Sequence, residues 1–254
     1  MPSRLQRWLA VWQRNALVWR KSIKTALLGG FADPVFSLFA LGYGLGGFVG
    51  DVEGMPYIAF LCAGIISLSA MNAATFEGLY LAYTRMAVLK TWDGMLAAPL
   101  GIADVVMGEL LWMATKSLIS AGLILVVASG FGLTAGWAAL GVLPVAFLAG
   151  LCFGSMALVV TSYARNYDFF VYYITLGVTP MILLGGVFFP QNALPEAIRL
   201  GSACLPLYHV VALIRPLLSG RFEWPLMAHL ALPSGFALFC TLFAVWRLKR
   251  RLLQ

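Results

Sequence analysis

The sequence predicts an all-α membrane protein of six transmembrane helices, and three observations carry that prediction. First, 61% of its 254 residues are hydrophobic and only 11% are charged, against about 25% charged in a soluble domain. A water-soluble globule of this size cannot hide so many apolar side chains, which excludes an ordinary soluble enzyme. Abundant Leu, Val, Phe and Trp without long polar tracts exclude disorder. Second, apolar runs near the roughly 20 residues that a helix needs to cross a bilayer recur along the chain. Third, these runs do not alternate in polarity, as the strands of a membrane β-barrel would.

The elements follow in order within a single domain, 1–254. Residues 1–25 read as an amphipathic helix, with Leu5, Trp8, Leu9, Trp12, Ala16, Trp19 and Ile23 at helical spacing and Arg and Lys over much of the rest. Three Trp beside a basic face is the pattern of a helix lying in the membrane interface. The competing reading is a helix packed on a partner protein. The stretch is too polar for the core of a signal peptide. Helices 1–5 occupy 26–189, with apolar runs at 34–50, 57–81, 104–129, 137–162 and 169–189. Asp33-Pro34 reads as an N-cap followed by a first-turn proline, starting the first run after a lead-in from Ala26. The sixth helix is 226–246, followed by a cytoplasmic tail, 247–254.

The basic residues orient this array. Thirteen fall on one side, in 1–24, 82–103, 163–168 and the tail, against only Arg199, Arg215 and Arg221 on the other. The imbalance places both termini in the cytoplasm. The net charge of +7 therefore reflects topology, and no nucleic-acid partner is expected.

Several chemistries are missing. No G-x-x-x-x-G-K-[ST] loop occurs, so the chain has no usual cradle for ATP phosphates. Gly42-x-Gly44-x-x-Gly47 matches a dinucleotide fingerprint but lies in an apolar run without the strand–helix–strand context that the fold requires. The stripes Gly42, Gly46, Gly50 and Ala146, Gly150, Gly154 instead read as helix-packing seams. Cys62, Cys152, Cys204 and Cys240 have no metal-ligand spacing, and no intrachain disulfide is expected. His209 and His229 have no metal or nucleophile partners nearby in sequence. Catalytic residues and metal sites are accordingly expected to be absent.

Charge within the hydrocarbon is costly and needs a reason. Lys116 sits within the third run, Glu109 two turns earlier on the same face, and Glu77 near the cytoplasmic end of the second. They form either an ion pair that fixes helix packing or a lining for a polar headgroup or sugar. Asn72, Thr75, Ser117 and Ser120 add hydrogen-bonding capacity at similar depth. In the 82–103 loop, Thr91 is placed to cap a short helix that Pro99 stops. That helix is expected to display Trp92, Met95 and Leu96 to the cytoplasm, where they need a protein or a membrane to cover them. Outside, 190–225 holds two proline-initiated segments too short to span. They read as a re-entrant hairpin with Phe188, Phe189, Tyr208 and His209 at its waterline, either a lid or an exit gate.

Several segments carry a resemblance to a known family. They are Phe76-Glu77-Gly78 through Tyr83-Thr84-Arg85, Lys90-Thr91-Trp92-Asp93-Gly94-Met95-Leu96, Gly108-Glu109-Leu110-Leu111-Trp112, Ala114-Thr115-Lys116, Tyr167-Asp168-Phe169-Phe170, and Leu205-Pro206-Leu207-Tyr208-His209 with Ile214-Arg215-Pro216. In their order and spacing the chain resembles the permease subunits of ABC-2 type exporters, most of all the nodulation protein J branch, over essentially its whole length. The resemblance implies a six-helix permease of the bacterial inner membrane. It implies two copies pairing with two copies of a separate ATPase that carries the ATP and Mg, and no cofactor in this chain. It further implies a coupling helix at 91–100, including Thr91, Trp92, Asp93, Met95, Leu96 and Pro99. The cargo class of this branch is a lipo-oligosaccharide; related branches move drugs or lipids.

The expected mechanism is a pull on the docked helix that opens a path at the dimer seam. The first and fifth spans would bend at Gly44, Gly177, Pro180 and Gly185. Cargo would pass Asn72, Glu77, Glu109, Lys116, Phe188, Phe189, Tyr208, His209 and Arg215. Replacing Trp92 and Leu96 with Asp is expected to uncouple export without blocking insertion. The competing class is a membrane-embedded enzyme on lipid-linked sugars, with Glu77 and Asp93 as its candidate acid and base. A channel would need a ring of polar residues along one helix, and none is evident.

Overall fold

A computed structural model describes residues 3–220 and 224–252. Arg221 and the rest of 221–223, part of the predicted outer loop, lie outside the described residues. The helices in chain order are α1 (Arg4–Arg20), α2 (Ile23–Gly44), α3 (Gly46–Val49), α4 (Tyr57–Phe76), α5 (Thr91–Leu96), α6 (Ile102–Gly130), α7 (Val142–Tyr163), α8 (Phe169–Tyr173), α9 (Thr179–Leu184), α10 (Glu196–Ser202), α11 (Pro206–Leu218) and α12 (Ala231–Leu252). A two-residue hairpin of β1 (Asp51–Val52) and β2 (Met55–Pro56) joins α3 to α4. Among the described residues, five helices are long and apolar enough to cross a membrane, or six if the bent pair α10–α11 counts as one.

α7 lies at the centre, packed by α4, α6 and α12. Small residues allow the approach. A side chain at Gly150 would meet the Ala114 Cα at 2.5 Å, and one at Gly154 the Met113 sulfur at 3.0 Å. The Ala146–Gly150–Gly154 stripe is thus a seam against α6. The other predicted stripe is not. Only Gly42 meets a neighbouring helix, through Ile58, while Gly46 and Gly50 face open space. Gly50 instead takes φ +71° to turn the chain into the hairpin.

Four boundaries differ from the sequence reading. The first membrane-crossing stretch, Ala32–Val49, lies close to the expected run, but Asp33-Pro34 does not start its helix: α2 starts at Ile23 and carries Pro34 inside it, so Pro34 has no N–H to give the Gly30 carbonyl. The second does not end at 81, because wide π-turns at Glu77–Leu81 and Thr84–Val88 carry it to Val88. Periodicity read at 3.6 residues per turn breaks at such turns. The fifth run yields helix only from Phe169 to Leu184, about 24 Å at 1.5 Å per residue, short of the roughly 30 Å of hydrocarbon. Gly186, at φ +75°, turns the chain there. Finally, Arg247 to Leu252 are no loose tail but the last turns of α12. Arg251 donates to the Thr161 and Ser162 carbonyls at 2.9 and 3.1 Å, satisfying the C-terminal end of α7.

α1 lies along α6. Ser3 and Gln6 close its N-terminus with a capping box. Its tryptophans face the chain's own third span. Trp8 Nε1 donates to Asp104 at 3.1 Å and Trp12 Nε1 to Thr115 at 2.9 Å, while Trp19 meets Trp112 edge-on. Asp104 also accepts from Arg7 at 2.8 Å and from the Gly101 N–H at 3.0 Å. One carboxylate thus caps α6 and ties α1 to it. Gly108 is the close approach: a side chain there would strike Val11 and the Trp8 carbonyl.

Candidate functional site: a charged cluster and a polar cavity

The short α5 is set by a strained residue. Lys90, just before it, takes φ 49°, a conformation that a side chain bearing a Cβ seldom adopts. Thr91 is therefore the first helical residue and makes no side-chain cap, and the helix stops at Leu96. This geometry turns Trp92 inward, where it is fully buried. The expected display of Trp92 is wrong: its ring belongs to the core because its N–H has a carboxylate to meet. Met95 and Leu96 are half-buried, and the surface left open is Asp93 and Gly94 of the helix with Ala97, Ala98 and Pro99 just after it.

Trp92 Nε1 donates to Glu109 at 3.2 Å. Arg85 grips the same carboxylate with two donors, Nε at 3.0 Å and Nη2 at 2.5 Å, and reaches Glu77 with Nη1 at 2.9 Å. Trp112 Nε1 completes Glu77 at 2.9 Å. Both carboxylates are buried, at 2% and 0% side-chain exposure. They are tolerable there only because each meets charged and indole donors. Glu77 and Arg85 are eight residues apart, which on a regular helix leaves them about 80° apart around the axis. The π-turns of the second span bring them onto one face. Glu109 therefore pairs with Arg85, not with Lys116 above it. Arg85 had read as a cytoplasmic loop charge; its signal was the spacing to Glu77, hidden by the wide turns. Arg14 on α1 lies nearby. Burial, and then the positive Arg85, lower its pKa from the usual guanidinium value, with Glu109 opposing.

Beside the cluster is a cavity of about 450 Å³ between α2, the second span and α6. It is lined by Asn72, Glu77 and Lys116 of the expected path, and by Asp33, Ser69 and Ser120. Trp19, Phe76 and Tyr80 supply aromatic walls. Lys116 lies over the Trp19 ring at 4.8 Å from its centroid. Fully buried Glu109 does not reach the cavity.

The other expected path residues gather elsewhere. Tyr57 donates to the Phe188 carbonyl at 3.4 Å, and Arg215 lies over the Phe60 ring at 3.7 Å. These contacts are about 25 residues, or roughly 38 Å, along the second span from Arg85. Arg215 Nη2 donates to the Gly186 carbonyl at 2.7 Å, and its nearest acid is Glu53 at 3.7 Å. It ties α11 to the turn after α9. Phe188 is half-buried and Phe189 exposed. Tyr208 packs on His209, and His209 Nδ1 meets His229 Nδ1 at 2.8 Å, a juxtaposition that the sequence spacing did not suggest. α10 and α11 are bent by 88°. Of the hinge residues, Gly177 sits in a π-turn, Ile174–Val178, that ends just before Pro180. The wide turn accommodates the hydrogen bond that Pro180 cannot make. Gly185 has an ordinary φ. It is required because a side chain would meet the Met181 carbonyl at 2.5 Å.

A family model described as ABC-2 type transporter matches residues 6–218. Nodulation protein J from Bradyrhizobium diazoefficiens is 43% identical over 254 residues, all of this chain and 97% of that protein. The Rhizobium meliloti protein of that name is 45% identical over 240 residues, 94% of this chain and 90% of its own length. The protein of that name from Azorhizobium caulinodans is 35% identical over 215 residues, 85% of each chain. With its membrane-crossing helices, the bundle around α7 and a likeness that runs the length of the molecule, the chain belongs to the ABC-2 type transporter membrane family, as a multi-pass permease and transport subunit rather than an enzyme.

Proposed function

We propose that this permease exports an amphiphile of the lipo-oligosaccharide class across the bacterial inner membrane, driven by a separate ATPase that holds the ATP and Mg. Two copies of the chain pair with two copies of that ATPase, and both termini lie in the cytoplasm. The excess of basic residues on one side supports this orientation. Six spans are counted when the short Phe169–Leu184 helix crosses with its following turn. α1 then lies at the cytoplasmic interface, with exposed Leu5, Leu9, Leu17 and Val18 toward lipid. α10 and α11 form a re-entrant pair at the outer side, in keeping with their 88° bend.

The observation that carries the reading is the link from α5 to the bundle. Trp92 and Arg85 both donate to Glu109, and Arg85 also donates to Glu77 on the cavity wall. A displacement of α5 by an ATPase docked on its open face would move the cavity wall without an intervening flexible joint. The path residues near the cytoplasmic side are then Asn72, Glu77 and Lys116; Glu109 acts through Arg85. Phe188, Phe189, Tyr208, His209 and Arg215 belong to the outer exit. The test is reconstitution. Vesicles holding the chain and its ATPase accumulate a lipo-oligosaccharide against a gradient on addition of MgATP, and vesicles holding the chain alone do not. Uphill movement by the chain alone would overturn the proposal.

A further inference from the structure

The cavity beside Lys116 has a lining that selects among ligand chemistries. Lys116 is the fifteenth of the 29 residues of α6. Among the described residues no carboxylate lies within the 4.0 Å of an ion pair to it, its close partner being the Trp19 ring. The opposite sign is also present, in Asp33 and Glu77. The same lining holds the Asn72 amide and a hydroxyl pair, Ser69 and Ser120, at 2.6 Å. An anionic headgroup drawn to Lys116 also meets the Asp33 carboxylate, while the charge of Glu77 is already matched by Arg85. A cationic one meets Lys116. An acyl chain would strip water from every one of these groups and return nothing. A neutral saccharide fits all of them, because each hydroxyl is both donor and acceptor. Trp19 and the stacked pair Phe76–Tyr80, at 5.6 Å, add aromatic surface to the lining against which the C–H groups of a sugar ring can pack. The volume of about 450 Å³ falls in the range of small-molecule sites, roughly 300–1,000 Å³. Phe76 and Leu81 line the cavity and are half exposed, which gives an attached acyl chain an apolar way out to lipid.

We propose that this cavity binds the neutral saccharide part of an amphiphile, with Asn72 and Lys116 reading its hydroxyls and the acyl chain leaving past Phe76 and Leu81. The term cargo for that amphiphile rests on the exporter reading; the binding itself does not. The test uses the full chain in phosphatidylcholine nanodiscs, with empty discs as blank and calorimetric titration as readout. Three amphiphiles with eight-carbon chains are compared below their micellar concentrations: octyl maltoside, dioctanoyl phosphatidylglycerol and octyltrimethylammonium. Octyl maltoside is expected to bind most tightly. Asn72→Leu and Lys116→Met are each expected to weaken it at least tenfold. Ala73→Leu, which adds bulk to the cavity wall and removes no polar group, is expected to abolish binding while the thermal melt stays that of the parent. Equal binding of octyl maltoside by the parent and all three variants would overturn the site, as would tighter binding of either charged amphiphile. Vesicles with the ATPase separate the two readings. Binding without ATP-driven export leaves the site standing and removes the exporter. Export at parental rate in all three variants removes the site and leaves the exporter.

Discussion

Arg85 is one cation serving two buried carboxylates, and its geometry gives the sharpest residue-level expectations. The guanidinium reaches Glu109 with two N–H groups and Glu77 with a third, a fork that an ammonium cannot reproduce. Arg85→Met leaves two buried charges facing each other, and breaking a buried pair in this way costs about 3–5 kcal/mol. The expected outcome is a large fall in the melting temperature of the detergent-purified chain, with Arg85→Lys intermediate. A parental melt for Arg85→Met would mean that the cluster is not holding the second span to α6. Trp92 follows the same logic. Trp92→Asp puts a third carboxylate against Glu109, so the Trp92→Asp, Leu96→Asp pair is expected to fail to accumulate in membranes rather than to accumulate uncoupled. Immunoblotting of membrane fractions decides this. Trp92→Phe keeps most of the buried ring and loses one hydrogen bond to a charged group, about 1.5–3 kcal/mol, so that variant is the one expected to fold.

At the scale of elements, α1 and α6 are joined by fit as much as by polar contacts. Gly108 leaves room for Val11 and the Trp8 carbonyl, and Asp104 holds Arg7 and Trp8. Gly108→Val is expected to lift α1 from α6 while the apolar spans still insert. The measurement is protease cleavage after Arg14 and Arg20, slow in the parent and fast in the variant; equal rates would show that the fit is not what seats α1. This contact also shows what the sequence could and could not say. The helical spacing of Trp8, Trp12 and Trp19 was legible, since an amphipathic period needs only local order. Which surface they cover was not, because Trp12 finds Thr115 103 positions away and no local pattern encodes a pairing at that range. The long runs of α4, α6 and α7 were legible from apolar length alone. The extension of the second span to Val88 was not, since π-turns break the period on which the reading depends. So the site was half readable: Glu77, Asn72 and Lys116 stood out as polar groups in apolar runs, whereas Arg85 was read as a loop charge. Asp33, read as a cap, lines the cavity because α2 runs straight through it.

Across the whole molecule, the arrangement separates two functions of α5 that a single hydrophobic handle would have merged. Its inner side, Trp92, is fixed to the bundle, whereas Asp93 and Gly94 on its outer side, with Ala97, Ala98 and Pro99 just after it, are exposed. In the proposed exporter these two sides should fail differently. Ala97→Arg adds bulk and charge on the open face and touches nothing in the core. It is expected to lose both the stimulation of the ATPase by the permease and the export of cargo, because docking itself is lost. Trp92→Phe leaves the open face intact, so the ATPase should still dock and hydrolyse ATP. What weakens is the hydrogen bond that makes α5 and the Glu109–Arg85–Glu77 chain move together. The expected result is fewer cargo molecules exported per ATP hydrolysed, measured as the ratio of the two rates in the same vesicles. A rigid connection predicts a fall in that ratio for Trp92→Phe together with near-parental hydrolysis. If hydrolysis and export fell in proportion instead, α5 would serve only as a docking surface, and motion would have to reach the cavity by another element, of which α1, seated along α6 with Trp19 against Lys116, is the nearest.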